Sequence, residues 1–196
     1  MDFKKLVKRM WHFIWEEDSL LSWIVNIILA FVLIKFIIYP AIGFAMQTNY
    51  PLVAVISESM VHETNFDTFW EQKQDFYEKF NITKSDFEGY KFKNGFNKGD
   101  IMFLRGRDPG NIKIGEILVF KGTPEYPYPI IHRVISKNQE KEFYYFQTKG
   151  DHNSISINGL ETSINQDRIL GVAIFRIPYV GWIKIWFVDL INLFKF

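Results

Sequence analysis

The 196-residue chain contains no cysteine. Disulfides, thiolate metal sites and a cysteine nucleophile are thereby excluded. It also lacks a charge excess: 23 Lys and Arg face 22 Asp and Glu, a formal net charge of +1. Without a basic field to hold a phosphate backbone, nucleic acid is not an expected partner. Histidine is scarce, with His12, His62, His132 and His152 as the full set. The sequence has no His/carboxylate cluster at metal spacing and no phosphate-binding glycine loop, so no metal or organic cofactor is expected. Chemistry must come from Ser, Thr, His, Lys or carboxylates.

Apolar residues are plentiful: 48% of the chain is hydrophobic and 18% aromatic. Residues 20–39 read LLSWIVNIILAFVLIKFIIY, with Asn26 and Lys35 as the strongly polar members. At about 1.5 Å rise per residue this run covers roughly 30 Å, the thickness of a hydrocarbon core. Asp18 and Ser19 are suited to cap its start and Pro40 to mark its end, predicting a transmembrane helix over 19–40. Lys4, Lys5, Lys8 and Arg9 precede it, whereas residues 40–59 hold no Lys or Arg. The positive-inside rule then gives a single-pass protein of the cell membrane, with residues 1–18 cytoplasmic and the bulk of the chain outside. Gly43 and Ala45 loosely fit a cleavage site. The apolar run exceeds a signal-peptide core of about 7–15 residues, so an uncleaved anchor is expected.

Residues 41–181 read mainly as strands. LVAVIS follows Pro51, and two similar units begin at Gly99-Asp100-Ile101 and Gly115-Glu116-Ile117. Residues 130–136, 142–148 and 171–175 add further short apolar runs between turn signals such as Asp108-Pro109-Gly110-Asn111. The pattern predicts a mainly β, antiparallel, barrel-like or folded sheet. It is interrupted over about 63–96 by a helical insert. There Phe66, Phe69, Trp70, Phe76, Tyr77 and Phe80 recur at helical spacing, a stripe expected to pack as core. Residues 182–196 carry their polar members on one helical face, predicting an amphipathic, interfacial C-terminal helix or one packed on the β domain.

Against the β pattern stand Ser57/Ser59, His132-Arg133 and the segment Lys149-Gly150-Asp151-His152-Asn153. A serine hydroxyl needs a base to take its proton, and histidine suits that role near neutrality. A carboxylate can fix the imidazole tautomer. These patterns resemble those of the type I signal peptidases, specifically the archaeal and endoplasmic-reticulum branch. Ser57-Glu58-Ser59-Met60 is similar to the family's Ser-x-Ser-Met box after the anchor, and Gly99-Asp100-Ile101 to its Gly-Asp-apolar box. Pro129-Ile130-Ile131-His132-Arg133-Val134 resembles its Pro-apolar-apolar-His-Arg-Val segment, Thr148-Lys149-Gly150-Asp151 its Thr-Lys-Gly-Asp box, and Ile177-Pro178-Tyr179-Val180-Gly181 its closing turn. The boxes run in family order across most of residues 20–182.

The resemblance implies a signal-peptidase-like fold and a membrane-anchored serine endopeptidase that removes signal peptides from exported preproteins. It makes Ser59 the nucleophile and His132 the general base, with Ser57 and Met60 on the oxyanion or substrate-binding side. Implied partners are signal peptides of secreted preproteins, the lipid bilayer and the protein-export channel. Three departures stand out. His62 replaces a usual proline two residues after the Met, 38 residues separate Met60 from Gly99, and Ile157 stands where relatives tend to carry a second acid. The third triad member is therefore open among Asp151, Glu161 and Asp167, with Asp151 ranked first. Two rival readings remain. One is a Ser/Lys-type protease using Lys121 or Lys149. The other is a non-catalytic, membrane-tethered β docking module using the aromatic insert.

Overall fold

The computed structural model describes residues 3–193. Two units are distinguishable, residues 1–45 and 46–196.

The first unit is helical. A Phe3–Trp15 helix is followed by a turn and by a second helix starting at Leu20, which Ser19 caps by accepting from the Ser22 N–H. Two polar residues of the apolar run serve the end of the first helix. Ser22 Oγ donates to the Phe13 carbonyl at 2.6 Å and Asn26 Nδ2 to the Ile14 carbonyl at 2.9 Å. Carbonyls left over at a helix C-terminus are thus satisfied by side chains on the apolar helix.

Pro40 does not end that helix. It runs for 27 residues, Leu20–Met46, long and apolar enough to cross a membrane. A π-helical turn at Ile34–Ile38 precedes the proline, with the Tyr39 N–H donating to the Ile34 carbonyl. Proline lacks an N–H and its ring crowds the carbonyl four residues back. The wider π turn accommodates both defects, and the helix continues.

The second unit is a seven-stranded antiparallel sheet: β1 (Leu52–Ala54), β2 (Ile101–Arg105), β3 (Ile117–Phe120), β4 (Ile130–Glu140), β5 (Phe143–Lys149), β6 (Ile164–Asn165) and β7 (Ile169–Ile177). Its spatial order is β1-β2-β7-β3-β4-β5-β6. The anticipated Gly-acid turns are present, with Gly99 and Gly115 at φ +91° and +89°, a region glycine enters without penalty. Strand β3 explains the curled shape. Ile117 and Val119 enter one buried cluster with Met60, Met102 and Leu104, whereas Leu118 and Phe120 enter another with Val134, Phe146 and Val172. Both faces of this central strand are buried, so it reads as a continuous apolar run rather than an alternating one. Irregularities at Phe103/Leu104, Val119/Phe120 and Val134/Ser136 bend the sheet around those two clusters.

The insert forms a helix at Phe66–Tyr77, capped by Asn65, and a short one at Lys84–Glu88 with a Thr83/Asp86 capping box. Its stripe is core, as its spacing suggests. Phe69, Trp70, Tyr77 and Phe87 are buried together with Ile82 and the β4 residue Ile135. A Trp182–Leu193 helix follows the last strand; residues 194–196 of the anticipated C-terminal helix lie outside the described residues.

Candidate active site

Strand β1 delivers Ser59. Backbone pairing with the β2 side continues past Ala54, through the Val55 N–H to the Asp100 carbonyl and the Gly99 N–H to the Val55 carbonyl. The chain then turns, with the Val61 N–H donating to Glu58 O. In this turn Ser57 is exposed, Ser59 half-buried and Met60 buried. The Ser57 and Ser59 hydroxyls lie 3.1 Å apart. Met60, expected with Ser57 on the oxyanion or substrate-binding side, anchors the turn. Its side chain lies in the core, its sulfur accepts the Asp151 N–H at 3.4 Å, and its carbonyl accepts the Phe96 N–H.

Strand β4 delivers His132, which is buried opposite Leu118 of β3. Its Nδ1 is hydrogen-bonded to a carboxylate oxygen of Glu161, itself fully buried. A carboxylate only accepts, so Nδ1 carries a proton, and in the neutral imidazole Nε2 is then the lone-pair nitrogen. Three further contacts fix Glu161. Its Oε2 accepts from the Ile157 N–H at 2.8 Å, its Oε1 from the Thr148 hydroxyl at 3.3 Å, and its main-chain carbonyl from the Thr148 N–H at 3.0 Å.

The loop after β5 brings the two together at Gly150. A Cβ on this glycine would lie 2.8 Å from the Ser59 carbonyl oxygen and 2.9 Å from His132 Nε2. The next N–H but one, that of His152, donates to the Ser59 carbonyl at 2.9 Å. The serine turn and His132 Nε2 thus converge on one glycine, with no room for a side chain between them.

Asp151, ranked first among the acids, is not the partner of His132. Its carboxylate accepts from Arg133 Nε at 2.9 Å and Nη2 at 2.6 Å, from His62 Nε2 at 3.0 Å and from the Tyr77 hydroxyl at 2.9 Å. Burial alone would raise its pKa. The Arg133 guanidinium and the His62 and Arg133 hydrogen bonds outweigh that and hold the carboxyl well below the usual carboxylate range. Burial likewise raises the Tyr77 phenol well above its ordinary value, and Asp151 adds to the shift. The cause of the misassignment is strand geometry. Consecutive residues of β4 point to opposite faces, so His132 and Arg133 meet different acids. Asp167 is exposed in the turn between β6 and β7, its N–H capped by Asn165.

The alternative bases are accounted for. Lys121 is exposed at the end of β3. Lys149 is buried and donates to the Gly150 and Asp151 carbonyls at 3.0 and 3.1 Å. Burial lowers its pKa to about 8, with Asp151 opposing the shift. His12 pairs with Glu16 at 2.6 Å in the first unit, and the His152 side chain is exposed.

No protein-family model matches the chain. It is 32% identical over 176 residues to the signal peptidase complex catalytic subunit sec11 of Schizosaccharomyces pombe, covering 77% of this chain and 74% of that one. The chain belongs to the Sec11 family of signal peptidase catalytic subunits. It is also 34% identical over 95 residues to sec11 of Dictyostelium discoideum and 35% over 95 to human SEC11C. Those matches cover 46% of this chain and 52% and 49% of the relatives. In this Sec11-family chain, the sequence alone ranks Asp151 above Glu161, the acid that contacts His132, and assigns no task to Arg133, His62 or Tyr77. Only the proximity of Arg133 to His132, and the unusual residue at position 62, hinted at theirs.

Proposed function

We propose that Ser59, His132 and Glu161 form the catalytic centre through which this Sec11-family chain removes signal peptides from exported preproteins. The observation that carries the assignment is the Glu161–His132 contact, because in the neutral imidazole it leaves the lone pair on Nε2, which lies against Gly150 as the Ser59 carbonyl does.

In this reading His132 Nε2 takes the Ser59 hydroxyl proton as Oγ attacks the scissile carbonyl carbon. The negative charge that develops on the carbonyl oxygen is met by the Ser59 N–H and the Ser57 hydroxyl. Groups of this kind are worth about 3–4 kcal/mol each in such enzymes. Collapse expels the new amino terminus, which leaves with the proton from His132, and the signal peptide remains as an ester on Ser59. Water then gives up a proton to His132 and attacks the ester; the ester bond breaks, the signal peptide leaves with a new carboxyl terminus, and Ser59 takes the water-derived proton from His132. The Glu161 carboxylate stabilises the imidazolium when it forms.

The curated relatives are named catalytic subunits of a signal peptidase complex. By extension this chain works with other subunits of such a complex. The apolar Leu20–Met46 helix supports membrane anchoring. With the basic flank at Lys4–Arg9, we assign a cytoplasmic N-terminus and an outward-facing catalytic unit in the cell membrane. Anchoring puts enzyme and signal peptide in one bilayer, next to the export channel, and raises their effective concentration. Both rivals are weaker. Lys149 Nζ is committed to backbone carbonyls, and the insert's aromatic stripe is largely buried rather than presented.

The test is the initial cleavage rate of a model preprotein by the purified full chain in detergent. His132→Ala should reduce turnover to near background. A His132→Ala variant that cleaves at the wild-type rate would return the base to a lysine.

A further inference from the structure

We infer that Tyr77 and His62 are positioning residues for the Ser59–His132 centre, acting through Asp151 on the loop that joins the two. This rests on the assignment of Ser59 and His132 above, and it gives the insert a task in the reaction. Loop 150–152 touches the centre at both ends of its short span. Gly150 lies against His132 Nε2 and the Ser59 carbonyl, the Asp151 N–H meets the Met60 sulfur, and the His152 N–H holds the Ser59 carbonyl. The loop's orientation therefore sets the approach of Ser59 to the imidazole. That orientation is held by the Asp151 carboxylate, which is fully buried, whereas the His152 side chain is exposed.

Arg133 supplies donors to this carboxylate from β4, but the remaining two come from residues outside the sheet. The Tyr77 hydroxyl reaches Asp151 from the last turn of the Phe66–Tyr77 helix, its ring held edge-on to Phe87 at 5.0 Å. His62 lies three residues after Ser59, directly beyond the nucleophile turn. Its ring lies flat on Phe69 of the same helix, at 3.6 Å and 12° between planes. That stacking aims Nε2 at Asp151 Oδ2. The ring is almost wholly buried, and Nδ1 has no hydrogen-bond partner among the described residues. An apolar side chain would fill the same space without leaving a buried nitrogen unpaired. The imidazole at this position is thus explained by its bond to Asp151, not by packing. The helix grips the loop a second time through Lys73, whose Nζ donates to the His152 carbonyl at 2.8 Å. Because Arg133 keeps Asp151 ionised, the carboxylate accepts from both insert-linked donors.

The experiment compares kcat and KM for a model preprotein in the full chain carrying Tyr77→Phe, His62→Leu or His62→Gln. Each is also combined with Asp151→Asn, and Ser59→Ala serves as control. Tyr77→Phe keeps the ring and removes one hydroxyl. His62→Gln keeps a terminal N–H donor that leucine lacks. We expect Tyr77→Phe and His62→Leu each to lower kcat about tenfold or more, the scale on which outer-shell partners of functional groups act. KM should change little, and His62→Gln should recover part of the loss. In the Asp151→Asn background the same changes should have almost no further effect, since they act through that carboxylate. Wild-type kcat in both variants, or equal losses with and without Asp151, would overturn the inference while leaving the Ser59 assignment standing. Full activity of Ser59→Ala would overturn both.

Discussion

Glu161 holds the proton-bearing nitrogen of His132, thirteen residues beyond the Thr148 whose hydroxyl shares the same carboxylate oxygen. The acid therefore reaches the imidazole from the far side of the loop that follows β5, not from the aspartate next to the glycine. A tight turn at Ile157–Leu160 makes this geometry, with the Glu161 N–H donating to the Ile157 carbonyl and the Ile157 N–H to Glu161 Oε2. Ile157 occupies the position where an acid was anticipated, and it serves the acid four residues on through its backbone.

Glu161→Gln is predicted to reduce kcat strongly while leaving KM near the wild-type value. A glutamine amide can donate to Nδ1, which would leave the proton on Nε2 and block its role as base. Losses of up to about 10⁴-fold follow from such a tautomer change. Asp167→Asn, at an exposed turn, should stay within a few-fold of wild type. Steady-state kinetics on one preprotein checks both. A mild Glu161→Gln beside a crippled Asp167→Asn would reverse the assignment.

Gly150→Ala is predicted to injure turnover more than folding. The new methyl would press on the Ser59 carbonyl and on His132 Nε2, each closer than 3.0 Å, and on the Asn153 amide. Relief requires the serine turn and the imidazole to separate, and misplacement by about 1 Å can cost about 10²-fold in rate. The measurement is kcat alongside a thermal unfolding midpoint. A variant with wild-type kcat would show that the two groups do not meet at this glycine.

Asp151 should make the folded state acid-sensitive. Its carboxyl is held below the ordinary value by Arg133 and His62 despite burial, so the unfolded chain binds the proton more readily. Its contribution is complete above about pH 4, the unfolded carboxyl's range, and is lost as pH falls further toward the depressed folded value. Asp151→Asn removes that dependence and leaves Arg133 buried without its counter-ion, a change that costs about 3–5 kcal/mol. Urea unfolding of the two proteins between about pH 5 and pH 3 should give a steeper loss for wild type. Parallel slopes would contradict the depressed carboxyl.

Much of the fold was legible because its signals are local. The apolar run, the aromatic stripe at helical spacing and the two Gly-acid turns each identify an element from neighbouring residues. The end of the apolar helix was not legible, since a π turn at Ile34–Ile38 lets the chain pass Pro40. The two-residue strand β6 escaped notice because it pairs with β5 only at Phe146 and Tyr145. At the site, Ser59 and His132 stood out by residue type and motif, but their supporting contacts are long-range. Neither the period-2 split of His132 from Arg133 nor the reach of Tyr77 to Asp151 can be read from spacing along the chain.

The most direct test of the central claim is cleavage of a model preprotein by the purified full chain, comparing wild type with Ser59→Ala at matched concentration. Among the described residues the hydroxyl's side-chain hydrogen bond is the one with exposed Ser57, so its loss should leave the fold and its unfolding midpoint nearly unchanged. Release of the signal peptide by Ser59→Ala should drop to the background seen without enzyme. Cleavage at the wild-type rate by Ser59→Ala would contradict the account.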